Sequence, residues 1–148
     1  MRIIDADILS YALYDKSPAH VYAWNLLKRG LLKEIELYVT HTTILETYNV
    51  LFWFYRVRPV RKLLEKLKLT ISGLKVIPPS LAGLDFSLKE NIPLGDGFLI
   101  ATAVENRIPI IVSNDSHIIN KAPKYGLIVE NPIPEEVRKK MATWKADM

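Results

Sequence analysis

Cysteine is absent from the 148 residues of this sequence. Without thiols the chain has no disulfide framework, no thiolate zinc site and no cysteine nucleophile, which excludes several classes of enzyme. Histidine is scarce, and the three residues His20, His41 and His117 show no shared ligand spacing. A histidine-based metal centre is therefore not predicted.

Long apolar runs are also missing. The longest, Ile44 to Tyr55, is interrupted by Glu46 and Asn49 and falls well short of the roughly 20 residues of a membrane-spanning helix. The apolar stretch at the amino terminus reaches Asp5 too soon to be a secretory signal. We therefore expect no membrane segment and a location in the cytoplasm.

The composition is that of one folded domain. Hydrophobic residues make up 49% and charged residues 24% of the chain, which is sufficient for a packed core and unlike a disordered segment. The length predicts a single domain over residues 1–148 and leaves no room for a second. The net charge of +4 is compatible with a polyanionic partner, although ordinary basic enzymes have the same charge.

Short apolar runs alternate with helical patterns along the chain. Such alternation is typical of an α/β fold in which helices cover both faces of a central, mostly parallel sheet in three layers, α/β/α. The predicted strands are Arg2–Ile4, Glu36–Thr40, Leu74–Ile77, Pro109–Val112 and Leu127–Val129.

The predicted helices separate these strands. Proline, hydroxyl residues and glycine predict their ends. We expect one helix from Ser17-Pro18 to Gly30, a largely buried helix from His41 to Arg56, and an amphipathic helix over Val60 to Ile71 that forms a hairpin with it. Further helices are expected from Ser80 toward Asn91 and from the Gly95-Asp96-Gly97 segment onward.

Acidic residues follow two of the predicted strands. Asp5 and Asp7 come directly after the first strand and Asp115 after the fourth, while Asp96 opens the helix before that fourth strand. The carboxyl ends of parallel strands meet at one edge of the sheet, so these acids can converge. Clustered carboxylates repel one another unless a cation compensates, and oxygen ligands favour Mg²⁺ or Mn²⁺. Such an ion can support hydrolysis of a phosphodiester, the chemistry of a nuclease.

At this point the sequence resembles a known family. The segment from Ile3 to Leu9, Ile-Ile-Asp-Ala-Asp-Ile-Leu, resembles the opening strand and acidic turn of PIN domains, including the ribonucleases of VapC-type toxin–antitoxin pairs. The other acids occur in the family's order, each within a similar motif: Glu46 in Thr43–Thr47, Asp96 before Leu99–Ala103, and Asp115 at the end of Ile110–Asp115. The resemblance implies cleavage of single-stranded RNA, Mg²⁺ or Mn²⁺ as cofactor, a homodimer and, for the toxins, an antitoxin partner.

The resemblance also implies a role for each acid. Asp5 resembles the family's first metal ligand, and Asp96 the third acid, which shares the ion. Glu46 resembles the second acid, a ligand or the group that orients the attacking water, and Asp115 the fourth, an outer ligand or a ligand of a second metal.

Two further residues belong to the resemblance. Ser113 matches a small hydroxyl residue suited to holding a metal-bound water. Asp7 stands where many relatives carry asparagine, as a ligand or an outer group. A structural role competes with this one, because Asp7 can cap a helix that begins at Ile8.

The main acids have structural alternatives as well. Asp96 can be a first-turn acid that interacts with the helix dipole, and Asp115 an ordinary turn residue. Glu46 can lie on an exposed stripe or pair with an arginine. We favour a function for Glu46, because a carboxylate buried on an apolar helix is costly without a partner.

The densest basic segment follows the predicted buried helix. It contains Arg56, Arg58, Arg61 and Lys62, which form either a solvated helix face or a surface that binds RNA phosphates. The preceding aromatic run, Phe52 to Tyr55, is more typical of a core or a dimer interface than of a base-stacking platform.

Other functions remain open from the sequence. A haloacid-dehalogenase-like phosphatase also begins with a strand and an Asp-x-Asp turn, but Leu9 stands in place of its threonine. A receiver-like signalling domain needs an aspartate after the middle strand, and here Leu74–Ile77 ends in prolines. A non-catalytic PIN fold that binds RNA or protein is the third alternative.

Overall fold

A single sheet of parallel strands organises the protein. The computed structural model describes residues 1–144, and the last four residues of the predicted domain, 145–148, lie outside the described residues. The five strands lie in the order β3-β2-β1-β4-β5, and every neighbouring pair is parallel. Each predicted strand is present to within one residue at either end. The strands are β1 Arg2–Ile4, β2 Leu37–Thr40, β3 Lys75–Ile77, β4 Ile110–Val112 and β5 Ile128–Glu130.

Helices cover both faces of this sheet. Successive strand residues point to opposite faces, so Ile3 and Ile111 belong to one core cluster, whereas Ile4 and Val112 belong to the other. The predicted three-layer α/β/α fold is confirmed. The helices are α1 Ala6–Leu13, α2 His20–Leu31, α3 His41–Asn49, α4 Val60–Ser72, α5 Gly83–Glu90, α6 Leu94–Glu105, α7 Ser116–Lys121 and α8 Glu135–Thr143, with a 3₁₀ turn at Ala122–Tyr125.

The starts of the first two helices differ from the predicted ones. Helix α1 begins at Ala6, because the Asp5 side chain accepts a hydrogen bond from the Ala6 N–H and caps it. Helix α2 begins at His20 instead of Ser17, whose hydroxyl accepts from the Ala19 N–H in the preceding turn. Gly30 does not end α2: a Cβ there would lie 2.8 Å from the Cβ of Leu37, so this glycine allows β2 to approach closely.

The prediction of a largely buried helix from His41 to Arg56 is wrong. The α-helix ends at Asn49 and continues as a π-helical segment, Val50–Phe54. The buried side chains of this region are confined to a narrow stripe of residues four apart, while Trp53 is 68% and Phe54 63% exposed. Apolar composition was a poor guide because only this stripe is buried, while neighbouring residues such as Ile44 and Tyr48 pack against the core and stay partly exposed. The stripe consists of Thr43, Thr47, Leu51 and Tyr55.

The helix that follows this segment agrees with the sequence-based prediction. Helix α4 packs against α3, as the predicted helical hairpin requires. Within residues 1–144, no helix is both long enough and apolar enough to cross a membrane.

Candidate active site

Asp5 lies at the carboxyl end of the central strand β1. One carboxylate oxygen accepts the Ala6 N–H at 2.7 Å, and the other accepts the Ser113 hydroxyl at 2.6 Å. Burial raises the pKa of Asp5 to about 6, although both hydrogen bonds oppose the shift by favouring the ionised form. Asp5 is therefore rigidly held.

Ser113 links the ends of the two central strands. Pairing of Ile4 with Val112 brings the end of β4 beside Asp5. The fully buried Ser113 donates its one hydroxyl proton to Asp5 and accepts the Asp115 N–H at 2.9 Å. The hydroxyl thus orients Asp5 and the loop that carries Asp115.

Asp7 ties the start of α1 to the same loop. Its carboxylate oxygens accept the Ile8 N–H at 2.7 Å and the Asn114 N–H at 3.0 Å. Burial, followed by the charge of Asp5, raises the pKa of Asp7 well above its usual value. The Asn114 side chain accepts in turn from Asn131 at 2.8 Å, a link that the sequence analysis missed. Asp7 therefore braces the loop, and its predicted role as the helix cap belongs to Asp5.

Asp96 is the least satisfied carboxylate of the group. The residue is only 7% exposed, and among residues 1–144 its Oδ2 is a buried side-chain oxygen without a hydrogen bond. Burial raises the pKa of Asp96 to about 8, and the charges of Asp115 and Asp5 add to the shift. An ionised Asp96 needs a compensating cation in this position.

The glycines on either side of Asp96 permit two close approaches. A Cβ at Gly95 would lie 2.7 Å from Oε2 of Glu46, and a Cβ at Gly97 would lie 2.5 Å from the carbonyl oxygen of Gly83 in α5. The Gly-Asp-Gly segment therefore admits the Glu46 carboxylate on one side and α5 on the other.

Glu46 is exposed, so the sequence argument from its burial is wrong. The carboxylate nevertheless reaches Gly95 from α3 and lines the same cleft as the other acids. Partial desolvation, followed by the charges of Asp5 and Asp115, raises its pKa. The helix places Glu46 at the rim of the site, where water can reach it.

Asp115 caps the short helix α7 and contacts a histidine. Its Oδ1 accepts the His117 N–H at 2.8 Å, and the Nδ1 of the His117 ring lies 3.1 Å from the same oxygen. The ring nitrogen is also 3.5 Å from Oδ2 of Asp96. Potential ligand atoms of Asp96, Asp115 and His117 all lie within 4.8 Å of one another. His117 was not predicted as a site residue; its position two residues after Asp115 is the feature of the sequence that could have identified it.

The acids share one cleft of about 510 Å³ at the carboxyl edge of the sheet. All five acidic candidates line it, while Ser113 lies buried behind Asp5. Their oxygen donors and the unpaired Asp96 oxygen fit a divalent cation. The lining residues are Asp5, Ala6, Asp7, Ser10, Tyr11, Glu46, Asn49, Val50, Phe54, Tyr55, Asp96 and Asp115.

None of the predicted basic residues lines this cleft. The guanidinium of Arg58 lies 3.7 Å above the Phe52 ring and donates to the Phe52 carbonyl, so it stabilises the chain locally. Arg61 pairs with Glu65 at 3.1 Å on the exposed surface of α4. Arg56 and Lys62 are exposed.

The fold and the cleft together define an α/β protein with a cluster of carboxylates at the carboxyl edge of its sheet. The PIN domain family model matches residues 2–124, most of the chain. The protein belongs to the PIN domain family, as the resemblance implied. No curated protein sequence matches it.

Solved structures agree with this assignment. A structure of FitAB bound to an IR36 DNA fragment matches at 17% identity and a TM-score of 0.61, covering 89% of this chain and 95% of the other. VapBC2 from Rickettsia felis, bound to a promoter DNA fragment, matches at 16% identity and a TM-score of 0.63. The match covers 88% of this chain and 97% of the other. PAE2754 from Pyrobaculum aerophilum matches at 21% identity and a TM-score of 0.59, and the match covers 97% of each chain. At these identities the likeness establishes the fold.

Proposed function

We propose that the protein is a Mg²⁺- or Mn²⁺-dependent endoribonuclease that hydrolyses phosphodiester bonds of single-stranded RNA. The observation that carries the proposal is Asp96, a buried carboxylate with an unpaired oxygen among other acids. Such a group is costly to a fold unless a cation binds there. Membership of the PIN family supports nuclease chemistry at this cleft.

Asp5 and Asp96 are the proposed principal metal ligands, with Asp115 and Glu46 completing the acidic set. When bound, the ion would polarise the phosphodiester and lower the pKa of a water molecule. Ser113 keeps one Asp5 oxygen fixed by its hydrogen bond. The exposed Glu46 carboxylate would be a ligand or would accept a hydrogen bond from the attacking water and so orient it.

The cleft wall supports a single-stranded substrate. Phe54 is 63% exposed and lines the cleft from the π-helical segment. Its neighbour Tyr55 is buried and stacks on Tyr14 with ring centroids 4.3 Å apart, which holds this part of the chain in place. An unpaired base can stack on an exposed aromatic ring, whereas a base inside a duplex cannot.

Phe54→Ala is expected to weaken binding of single-stranded RNA by about 1–3 kcal/mol, the usual contribution of one stacked base. Binding should be measured with a fluorescent oligonucleotide under conditions that prevent cleavage. Trp53→Ala is the matched control, because Trp53 is equally exposed on the same segment and does not line the cleft. An equal loss in both variants would contradict a specific role for Phe54.

The central test compares substrates. With Mn²⁺ or Mg²⁺, the purified protein is expected to cut a single-stranded RNA internally and to leave the same sequence intact as a duplex. Hydrolysis of a small phosphomonoester without RNA cleavage would support the phosphatase alternative. RNA binding without cleavage under any metal condition would support the non-catalytic module.

We also propose an antitoxin protein as partner. The support is the likeness of fold to chains in FitAB and VapBC2, both of which are in complexes with DNA. Co-expression with the product of an adjacent small gene, followed by co-purification, tests this proposal. The expected homodimer stays a prediction.

A further inference from the structure

The His117 ring stands among the proposed metal ligands. Its Nδ1 lies 3.1 Å from Oδ1 of Asp115 and 3.5 Å from Oδ2 of Asp96. We propose that His117 is a nitrogen ligand of the bound ion and that it makes the site prefer Mn²⁺ over Mg²⁺. The proposal rests on the proposed function, because it concerns the same metal centre.

The distances suit shared coordination of one ion. Adjacent ligands of an octahedral ion with bonds of about 2.1 Å lie about 3.0 Å apart. The distance of 3.1 Å between His117 and Asp115 is close to this separation. The distance between His117 and Asp96, 3.5 Å, exceeds it by about 0.5 Å. A small movement of the half-exposed histidine ring would bring all three donors to one ion.

Helix capping does not require the ring, although its Nδ1 is within hydrogen-bonding distance, 3.1 Å, of Oδ1 of Asp115. The His117 backbone N–H already satisfies Oδ1 of Asp115 at 2.8 Å, so the cap of α7 is complete without the side chain. The contact with Asp96 is too long to serve as a hydrogen bond, and Oδ2 of Asp96 stays unsatisfied. A metal ion between these groups would satisfy the buried oxygen and use the ring nitrogen at once.

The donor type determines the preferred ion. Mg²⁺ binds oxygen ligands and gives up its waters reluctantly, whereas imidazole suits transition metals. A site that combines Asp96, Asp115 and the His117 ring nitrogen therefore favours Mn²⁺ relative to an all-oxygen site. This preference distinguishes the centre from the four-carboxylate set that the sequence predicts.

Pulsed electron paramagnetic resonance of the Mn²⁺-loaded protein tests the assignment. The wild type is expected to show ¹⁴N modulation from a coordinated imidazole, and His117→Ala is expected to lose it. By isothermal titration calorimetry, His117→Ala should weaken Mn²⁺ binding by about tenfold or more and Mg²⁺ binding by much less. The half-exposed side chain leaves no core cavity when it is truncated, so the variant should fold.

His41→Ala is the matched control, because His41 lines a separate apolar groove between α3 and α4. It should keep both the modulation and the Mn²⁺ affinity. Mn²⁺ binding without ¹⁴N modulation in the wild type, or modulation that survives in His117→Ala, would overturn the role of His117 and leave the ribonuclease proposal standing. Nitrogen-coordinated Mn²⁺ in a protein that cuts no RNA would support His117 and overturn the ribonuclease instead.

Discussion

Asp96→Asn is expected to lower RNA cleavage by about a thousandfold and to raise the melting temperature of the metal-free protein. Loss of the carboxylate removes a proposed metal ligand, and the neutral amide removes a buried negative charge that faces Asp5 and Asp115. Each kcal/mol gained in stability should raise the melting temperature by roughly 2–4 °C for a chain of this size. Cleavage assays and thermal melts in EDTA measure the two effects.

The gain in stability should depend on pH. In the folded protein the pKa of Asp96 is raised to about 8, from an ordinary aspartate value of 3.8. The folded state therefore holds a proton that the unfolded chain releases, and stability falls as pH rises from about 4 to about 8. Asp96→Asn abolishes this loss, so its advantage over the wild type should be largest at the alkaline end.

Asp85→Asn is the matched control, because Asp85 is an exposed acid in the first turn of α5, just as Asp96 is in the first turn of α6. This control should leave cleavage and melting nearly unchanged. Undiminished cleavage by Asp96→Asn would show that Asp96 is not a metal ligand. A lower melting temperature would show that its carboxylate serves the fold.

Removal of divalent metal is expected to abolish RNA cleavage, and Mn²⁺ should restore it. The raised pKa values of Asp5, about 6, and of Asp96, about 8, mean that protons compete with the ion for these carboxylates. Mn²⁺ should therefore raise the melting temperature more at pH 8 than at pH 6. Calorimetric melts at both pH values, with and without Mn²⁺, measure the difference.

Two results would contradict this metal dependence. Full cleavage in the presence of EDTA would remove the metal from the mechanism. An equal stabilisation by Mn²⁺ at both pH values would show that the ion binds away from Asp5 and Asp96, the carboxylates whose pKa values are raised. Asp96→Asn provides the control, since its stabilisation by Mn²⁺ should be much smaller than that of the wild type.

Much of the fold followed from local patterns in the sequence. Each strand is a short apolar run bounded by polar or turn residues, so β1 and β4 were predicted to within one residue. Because Asp5 directly follows β1 and Asp115 lies three residues after β4, their convergence at one edge of the sheet followed from parallel pairing. The order of the acids along the chain then indicated the family.

Contacts between distant segments could not be read from the sequence. Apolar residues around Glu46 predicted burial, yet the structure leaves that side chain exposed because it lies off the buried stripe of the helix. The purpose of Gly95 depends on the approach of Glu46 from another helix. His117 was set aside because histidine spacing was compared only with other histidines, while its neighbours in the site are carboxylates.

The hydrogen bond between Asp5 and Ser113 joins residues 108 positions apart. During synthesis, Asp5 leaves the ribosome early, and its partner Ser113, just past β4, leaves only after six helices and two more strands, β2 and β3, have been made. Until β4 pairs with β1, the nascent chain lacks Ser113 and Asp115 beside Asp5. The proposed ribonuclease site therefore stays incomplete until β4 has been made and has paired with β1.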